Sequence, residues 1–247
     1  MKIGVFDSGI GGLSVVRSLV EHNLFEEIVY YGDTARVPYG SKDKNTIIRY
    51  GIEAVEFFKN FDIDMILVAC NSVSAYGLEE MQEASEIPVV GVVEAGVLAT
   101  INALNNTDKN VLILGTKATI ASKAYEKGLL SKNYTNLTPL ATPLFVPLVE
   151  EGVFEGELLE AAFRYYFSKL SPPDAIILGC THFPLVAKGI RSYFPNAPKL
   201  IHSGDAIVEY LEKNYGCKRV QKETTIRYFA SENPTHLKEI ASLWLTC

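Results

Sequence analysis

The sequence predicts an α/β protein built from two similar α/β units, whose parallel sheets face each other across a central cleft. Short apolar runs typical of buried strands alternate with longer segments in which apolar residues recur at helical spacing. The order of these segments is nearly the same in the two halves of the chain, as expected for a pseudo-twofold duplication. In each half one apolar run ends in a cysteine, Cys70 or Cys180, which is followed by small polar residues and a helical segment.

The first half opens with a predicted strand that leads into a glycine-rich turn, from Asp7 to Gly12, and then into a helix. Further strands are predicted at 27–31, 63–69 and 88–93, and further helices at 45–59 and 74–85. Residues 34–43 are predicted to be irregular. Strands that alternate with helices imply right-handed crossovers and therefore a parallel sheet.

The second half repeats this plan after a linking helix at 94–104. Strands are predicted at 111–114, 137–142, 175–178 and 199–202, and helices from 119 to about 130, at 145–151, 156–170, 183–194 and 204–215. A strand at 224–230 and a helix at 233–245 complete the chain. We predict that the chain returns to the first unit near its end, so that residues 1–92 and 207–247 form one domain and residues 93–206 the other.

Composition and charge exclude several classes of function. The 247 residues carry a net charge of −6, and their Lys and Arg residues are scattered, so the chain has no basic stripe for nucleic acid. No apolar run is long enough to span a membrane, and the N-terminus lacks a signal-peptide pattern, which predicts a cytoplasmic protein. A dinucleotide-binding motif would require glycine where Ser14 stands.

The four cysteines form no C-x-x-C pair and have no zinc-like spacing with the four histidines. Neither a metal site nor a structural disulfide is therefore expected. We assign no role to Cys217 or Cys247.

The cysteine pair suits one type of reaction. A buried cysteine is more often a small apolar residue than a catalyst, but open α/β sheets bind ligands at the carboxyl ends of their strands. A thiolate accepts a proton and a thiol donates one. Cys70 and Cys180 on opposite faces of a carbon would therefore invert a stereocentre without a metal, a cofactor or a covalent intermediate. Nucleophilic catalysis would need only one cysteine.

Two ionisable residues stand near the cysteines in the predicted fold. Asp7 ends the first strand, and its carboxylate would cap the following helix, tune the proton affinity of Cys70, or do both. His182 follows Cys180 by two positions. It is either a structural hydrogen-bonding residue or a group that stabilises a Cys180 thiolate and exchanges protons with it.

Short hydrogen-bonding side chains flank the same strand ends. Helix N-termini with such residues bind carboxylates, although each residue alone would also suit a helix cap. They are Ser8, Asn71, Ser72, Thr116, Thr119 and Thr181. Tyr39 and Gly40 belong to a Pro-Tyr-Gly-Ser turn, which we expect to display the tyrosine over the cleft.

Five longer stretches carry a resemblance to a known family. They are FDSGIGG at 6–12, RVPYG at 36–40, VACN at 68–71, VPLVE at 146–150 and LGCTHFPL at 178–185. In this order they resemble the glutamate racemases of the cofactor-independent aspartate/glutamate racemase superfamily. Ser72 stands where that family usually has threonine, so the hydroxyl is kept while a methyl group is lost.

The resemblance implies a cofactor-independent enzyme that interconverts L- and D-glutamate and so supplies D-glutamate for peptidoglycan. It also implies a homodimer. It implies that Cys180 accepts the proton of L-glutamate and Cys70 that of D-glutamate, with Asp7, Glu150 and His182 assisting. Substrate contacts are implied for Asp7, Ser8, Tyr39, Gly40, Asn71, Ser72, Thr116, Thr119, Thr181 and His182.

Two other functions remain open from the residues alone. The same chemistry would serve aspartate, a hydantoin or another α-substituted acid, because the motifs do not define the side-chain pocket. A binding module or redox sensor would instead join Cys70 and Cys180 in a disulfide, which requires Cα atoms within roughly 7 Å.

Overall fold

The computed structural model describes residues 1–245, which contain two parallel sheets and confirm the predicted α/β class. The first sheet has the order β4-β3-β1-β2-β9 and the second the order β6-β5-β7-β8. The strands are β1 (Lys2–Asp7), β2 (Glu27–Gly32), β3 (Met65–Val68), β4 (Val89–Gly91), β5 (Val111–Gly115), β6 (Leu137–Ala141), β7 (Ala175–Gly179), β8 (Lys199–His202) and β9 (Thr225–Ala230). Every pairing between these strands is parallel.

The two sheets follow the same plan. Without β9, the order β4-β3-β1-β2 of the first sheet corresponds to β8-β7-β5-β6 in the second. The strands that precede Cys70 and Cys180, β3 and β7, therefore occupy equivalent central places beside β1 and β5. Their residues are fully buried because helices cover both faces, which explains why they appear in the sequence as continuous apolar runs.

Twelve α-helices connect and cover the strands within residues 1–245. They are α1 (Leu13–Glu21), α2 (Lys44–Phe58), α3 (Asn71–Tyr76), α4 (Leu78–Ala84), α5 (Val92–Ala103), α6 (Lys117–Ser122), α7 (Ala124–Leu130), α8 (Phe145–Glu150), α9 (Glu157–Phe167), α10 (Ala187–Tyr193), α11 (Ser203–Tyr215) and α12 (Pro234–Trp244). Within this part of the chain, no helix combines the length and the apolar character needed to cross a membrane.

Three helices predicted as single elements are interrupted. The helix predicted at 74–85 begins already at Asn71 and breaks at Gly77, where the backbone runs close to Ile48 of α2. The helix predicted up to 130 breaks at Lys123, which adopts a left-handed conformation with φ of 58°. The helix predicted at 183–194 starts with a 3₁₀ turn, Phe183–Val186, which contains Pro184.

The end of the chain returns to the first unit. Helix α11 packs against α1 and α5, β9 pairs with β2, and α12 packs against α1 and β9. Cys217 is a buried thiol in this core, whereas Cys247 lies outside the described residues. The division into residues 1–92 with 207–247 and residues 93–206 stays a prediction.

Candidate active site

The carboxyl ends of the central strands of both units meet at a small cavity. Its volume of about 20 Å³ accommodates about one water molecule. Predicted site residues from both units line it, namely Ser8, Tyr39, Gly40, Cys70, Asn71, Ser72, Thr116, Cys180, Thr181 and His182. The other three, Asp7, Thr119 and Glu150, contact residues in this lining. The structure therefore brings all the predicted side chains to one place.

Cys70 lies between β3 and α3, and its side chain is buried. Its Sγ is 3.6 Å from Ser8 Oγ, to which the thiol donates a hydrogen bond. Burial, reinforced by the negative charge of Asp7, raises the pKa of Cys70 to about 12. The cavity alone therefore favours the thiol form of Cys70.

Asp7, at the end of β1, connects the two units. One carboxylate oxygen accepts the backbone N–H of Gly9 at 3.0 Å, and the other accepts the hydroxyl of Thr181 at 3.2 Å. Burial raises the pKa of Asp7, although the positive charge of His182 and these hydrogen bonds oppose the rise. The carboxylate also interacts with the backbone N–H of Gly12, the N-cap of α1, so the helix-cap and site interpretations of Asp7 are compatible.

Cys180 belongs to a line of three ionisable groups. Its Sγ is 3.7 Å from Nδ1 of His182, and Nε2 of the same ring hydrogen-bonds to the carboxylate of Glu150. Burial lowers the pKa of His182, but its hydrogen bonds and charge interactions with Cys180 and Glu150 outweigh this effect and raise the pKa to about 10. At neutral pH a positive imidazolium therefore stands beside the sulfur of Cys180.

Three buried hydroxyls form a triangle across the cleft. Ser72 Oγ lies 2.9 Å from Thr116 Oγ1 and 3.2 Å from Thr119 Oγ1, and the two threonine oxygens are 3.0 Å apart. Thr116 also caps α6 by accepting the backbone N–H of Thr119 at 3.1 Å, so the capping and site interpretations are compatible. Gly40 packs directly on Thr116, since a Cβ added to Gly40 would lie 2.3 Å from Thr116 Cβ.

Tyr39 lies at the cavity, as expected from its turn, but its hydroxyl points away from the cavity. The side chain is buried, and its hydroxyl is donated to the carboxylate of Asp33, which also accepts Arg36 Nε at 2.5 Å. Tyr39 thus lines the cavity while its polar end anchors the 36–41 loop. Only the backbone and the ring remain available to a ligand there.

Several residues near the cavity did not stand out in the sequence. Val37, Pro38 and Val146 add apolar lining, and they do lie within the stretches that carry the family resemblance. Tyr125 donates its hydroxyl to Asn71 Oδ1 at 2.6 Å. Nothing in the sequence pointed to it, because a buried tyrosine on a helix is ordinary core material.

Within residues 1–245 no group of three or more His, Cys, Asp or Glu side chains is arranged to hold a metal ion. Cys70 and Cys180 are free thiols, each with its own polar partner. The disulfide that a redox sensor would use is not formed between them.

Comparison with known families assigns the chain to one of them. Residues 3–211 match the model of the Asp/Glu/Hydantoin racemase family. The matched segment includes all the cavity-lining residues and both sheets apart from β9 and the first residue of β1. The chain therefore belongs to the Asp/Glu/Hydantoin racemase family.

Within this family, three similar proteins are all named glutamate racemase. A glutamate racemase of Nitratiruptor sp. is 58% identical over 245 residues, covering 99% of this chain and 96% of the relative. The crystal structure of glutamate racemase from Campylobacter jejuni has a TM-score of 0.98 at 54% identity, covering 100% of this chain and 98% of that one. Glutamate racemase from Francisella tularensis in complex with D-glutamate has a TM-score of 0.87 at 33% identity, covering 100% of this chain and 94% of that one.

Proposed function

We propose that this protein interconverts L- and D-glutamate by proton transfer at Cα between Cys70 and Cys180. The observation that carries the proposal is that both thiols line one cavity, at equivalent strand ends of a duplicated fold. Full-length similarity to proteins named glutamate racemase supports glutamate as the substrate.

The two thiols have different hydrogen-bonding and charged neighbours, which supports different roles for them, one as proton acceptor and one as proton donor. Cys180 stands beside the His182 imidazolium, which attracts a negative charge on its sulfur, whereas burial and Asp7 keep Cys70 protonated. A Cys180 thiolate would take the α-proton of L-glutamate, and the Cys70 thiol would deliver a proton to the opposite face. The thiolate then resides on Cys70, which is the form required to start from D-glutamate. No redox change occurs, and each turnover moves one proton onto one sulfur and one off the other.

The hydroxyl triangle of Ser72, Thr116 and Thr119 supplies donors for a substrate carboxylate. Negative charge that develops at Cα during proton removal spreads onto the α-carboxylate, so donors already in place stabilise it. We assign the α-carboxylate to this triangle and the amino group to the vicinity of Asp7. The cavity of about 20 Å³ is too small for glutamate, and we infer that the cleft opens to admit it.

The central test replaces each thiol separately. We expect Cys70→Ala and Cys180→Ala each to lower kcat for racemisation by about a thousandfold, the typical contribution of a positioned acid or base. Cys217→Ala is the matched control, because it removes a buried thiol of the first unit that does not line the cavity. Activity is followed by circular dichroism, and wild-type turnover in D₂O should introduce deuterium at Cα. Full activity in a variant without both Cys70 and Cys180 would disprove the proposal.

Substrate choice needs its own measurement. The family description also covers aspartate and hydantoin, so kcat/KM is compared for glutamate, aspartate and a hydantoin on the same enzyme. We expect glutamate to exceed both. A higher value for either competitor would retain the two-thiol chemistry and reject the substrate.

In the cell, we propose that the enzyme is a cytoplasmic homodimer that provides D-glutamate for peptidoglycan. Restored growth of a bacterium that depends on added D-glutamate tests the cellular role. Light scattering on the purified chain tests the dimer, for which a monomer at working concentration would be the contrary result.

A further inference from the structure

Tyr125 on α7 links the surroundings of both cysteines. Its hydroxyl crosses from the second unit to the first and donates a hydrogen bond to Asn71 Oδ1 at 2.6 Å. Asn71 follows Cys70 directly, and the side chains of Tyr125 and Asn71 are both 2% exposed. We propose that Tyr125 is a positioning residue that fixes the orientation of the Asn71 amide for binding of the substrate.

The orientation follows from the donors and acceptors around the amide. The Tyr125 hydroxyl occupies Oδ1, and Nδ2 donates to Ser203 Oγ at 3.4 Å. Ser203 in turn donates to the backbone oxygen of Leu178, also at 3.4 Å, on the strand that leads to Cys180. Since Nδ2 carries two hydrogens, it can donate the second one to an acceptor in the cavity that Asn71 lines.

The ring of Tyr125 contacts the other cysteine's strand. A Cβ added to Gly179, the residue before Cys180, would lie 3.2 Å from Tyr125 Cε2, and one added to Gly96 would lie 2.9 Å from Cε1. The ring therefore fills a narrow space between α5 and the end of β7, which leaves little freedom for the hydroxyl. One side chain thus contacts the immediate neighbour of each cysteine.

Without the hydroxyl, the amide oxygen loses its donor, and only the long contact of Nδ2 with Ser203 Oγ at 3.4 Å still favours this orientation. The oxygen and nitrogen of an asparagine amide have nearly the same shape, so Asn71 would then populate the flipped orientation and present an acceptor where the substrate needs a donor. This inference rests on the proposed function, because it assigns to Asn71 a hydrogen bond to glutamate. Glutamate accepts hydrogen bonds only through its carboxylates, and loss of a hydrogen bond to a charged group predicts an increase in KM of at least about tenfold with kcat within about twofold.

The experiment compares Tyr125→Phe with Tyr134→Phe. Tyr134 is a matched control because it is buried in the same core cluster and its hydroxyl donates to the backbone oxygen of Leu104, at 3.1 Å, away from the cavity. We expect the KM increase in Tyr125→Phe alone, with similar thermal stability for the two variants. Both substrates, L- and D-glutamate, must give the same change in kcat/KM, since the antipodes have equal free energy in water.

A double-mutant cycle shows whether Tyr125 acts through Asn71. In an Asn71→Ala background, Tyr125→Phe should change KM by less than about twofold. An equal increase of KM in both backgrounds, an increase in Tyr134→Phe of the same size, or a loss confined to kcat would overturn the inference.

Nuclear magnetic resonance separates this inference from the proposed function. The side-chain amide signals of Asn71 are identified by their loss in Asn71→Ala, and they should shift and exchange faster with water in Tyr125→Phe. Unchanged signals would overturn the positioning role whether or not the enzyme racemises glutamate. An inactive wild-type protein whose Asn71 signals respond as expected would reject the proposed function and retain the contact.

Discussion

Glu150→Gln tests whether the carboxylate behind His182 sets the charge beside Cys180. The substitution keeps the length of the side chain and an oxygen that accepts the Nε2 hydrogen, while it removes the negative charge. Glu150 is one of two partners that raise the pKa of His182 to about 10 against the opposing effect of burial. Removal of this charge must therefore lower the pKa of the imidazolium.

The size of the effect follows from the strength of a charged hydrogen bond. Such a bond exceeds a neutral one by about 1–2 kcal/mol, and about 1.4 kcal/mol corresponds to one pH unit. Activity that depends on the imidazolium persists up to the pKa of His182 and is lost above it. We expect the alkaline limb of the kcat/KM profile to move to lower pH by about one unit in Glu150→Gln, with a smaller loss near neutrality.

Rates are measured across pH with both antipodes and with Glu151→Gln as the control. Glu151 is the next residue and is exposed, so its substitution removes the same charge from the protein while the His182 contact stays. The amino group of glutamate titrates identically in all variants, and a difference between profiles therefore reports the protein. An alkaline limb at the wild-type position in Glu150→Gln, or an equal displacement in Glu151→Gln, would refute the reasoning.

Three further substitutions test other parts of the site. Asp7→Asn removes a charge that raises the pKa of Cys70, so more of the thiol is ionised at a fixed pH. Alkylation of Cys70, measured by peptide mass spectrometry, should therefore become faster. An unchanged or slower alkylation rate would contradict this. Gly40→Ala places a Cβ 2.3 Å from Thr116 Cβ and should prevent full closure of the cleft. We expect kcat/KM to fall at least about tenfold while the midpoint of urea denaturation changes little. Wild-type activity in this variant would show that the close contact between Gly40 and Thr116 is dispensable. Phe145→Ala removes a fully buried ring that contacts four aromatic neighbours and should cost about 3–5 kcal/mol in the free energy of unfolding; a loss below about 1 kcal/mol would mean that the site repacks.

The parallel sheets and the positions of the strand ends could be predicted because buried parallel strands leave continuous apolar runs. Cys70 and Cys180 end such runs, and the small polar residues and helical segment that follow each of them placed the two thiols at corresponding points of the halves. The same logic placed Ser72, Thr116 and Thr119 at strand ends and helix starts, whereas their meeting in one triangle is a finding of the structure. These inferences needed only local pattern and the rule that crossovers are right-handed.

Other features depend on contacts between residues that are distant in sequence. The helix breaks at Lys123, and α7, which begins after this break, carries the Tyr125 that reaches Asn71. The hydroxyl of Tyr39 turns to Asp33 because a buried carboxylate needs donors. No sequence pattern predicts either contact, since the two residues of each pair are brought together only when different helices, strands and loops pack.

The first sheet takes β1–β4 from the start of the chain and β9 from near its end, whereas β5–β8 of the second sheet are contiguous. During synthesis on the ribosome, the second sheet is therefore complete while the edge of β2 still lacks its neighbour and α1 still lacks α11 and α12. All the cavity-lining residues have been made by that stage, because the last of them is His182. A nascent chain that stops after β8 contains every residue that lines the cavity. It also exposes an unpaired strand edge and apolar helix faces. The chain therefore becomes a stable enzyme only when the C-terminal segment has left the ribosome and packed against the first sheet.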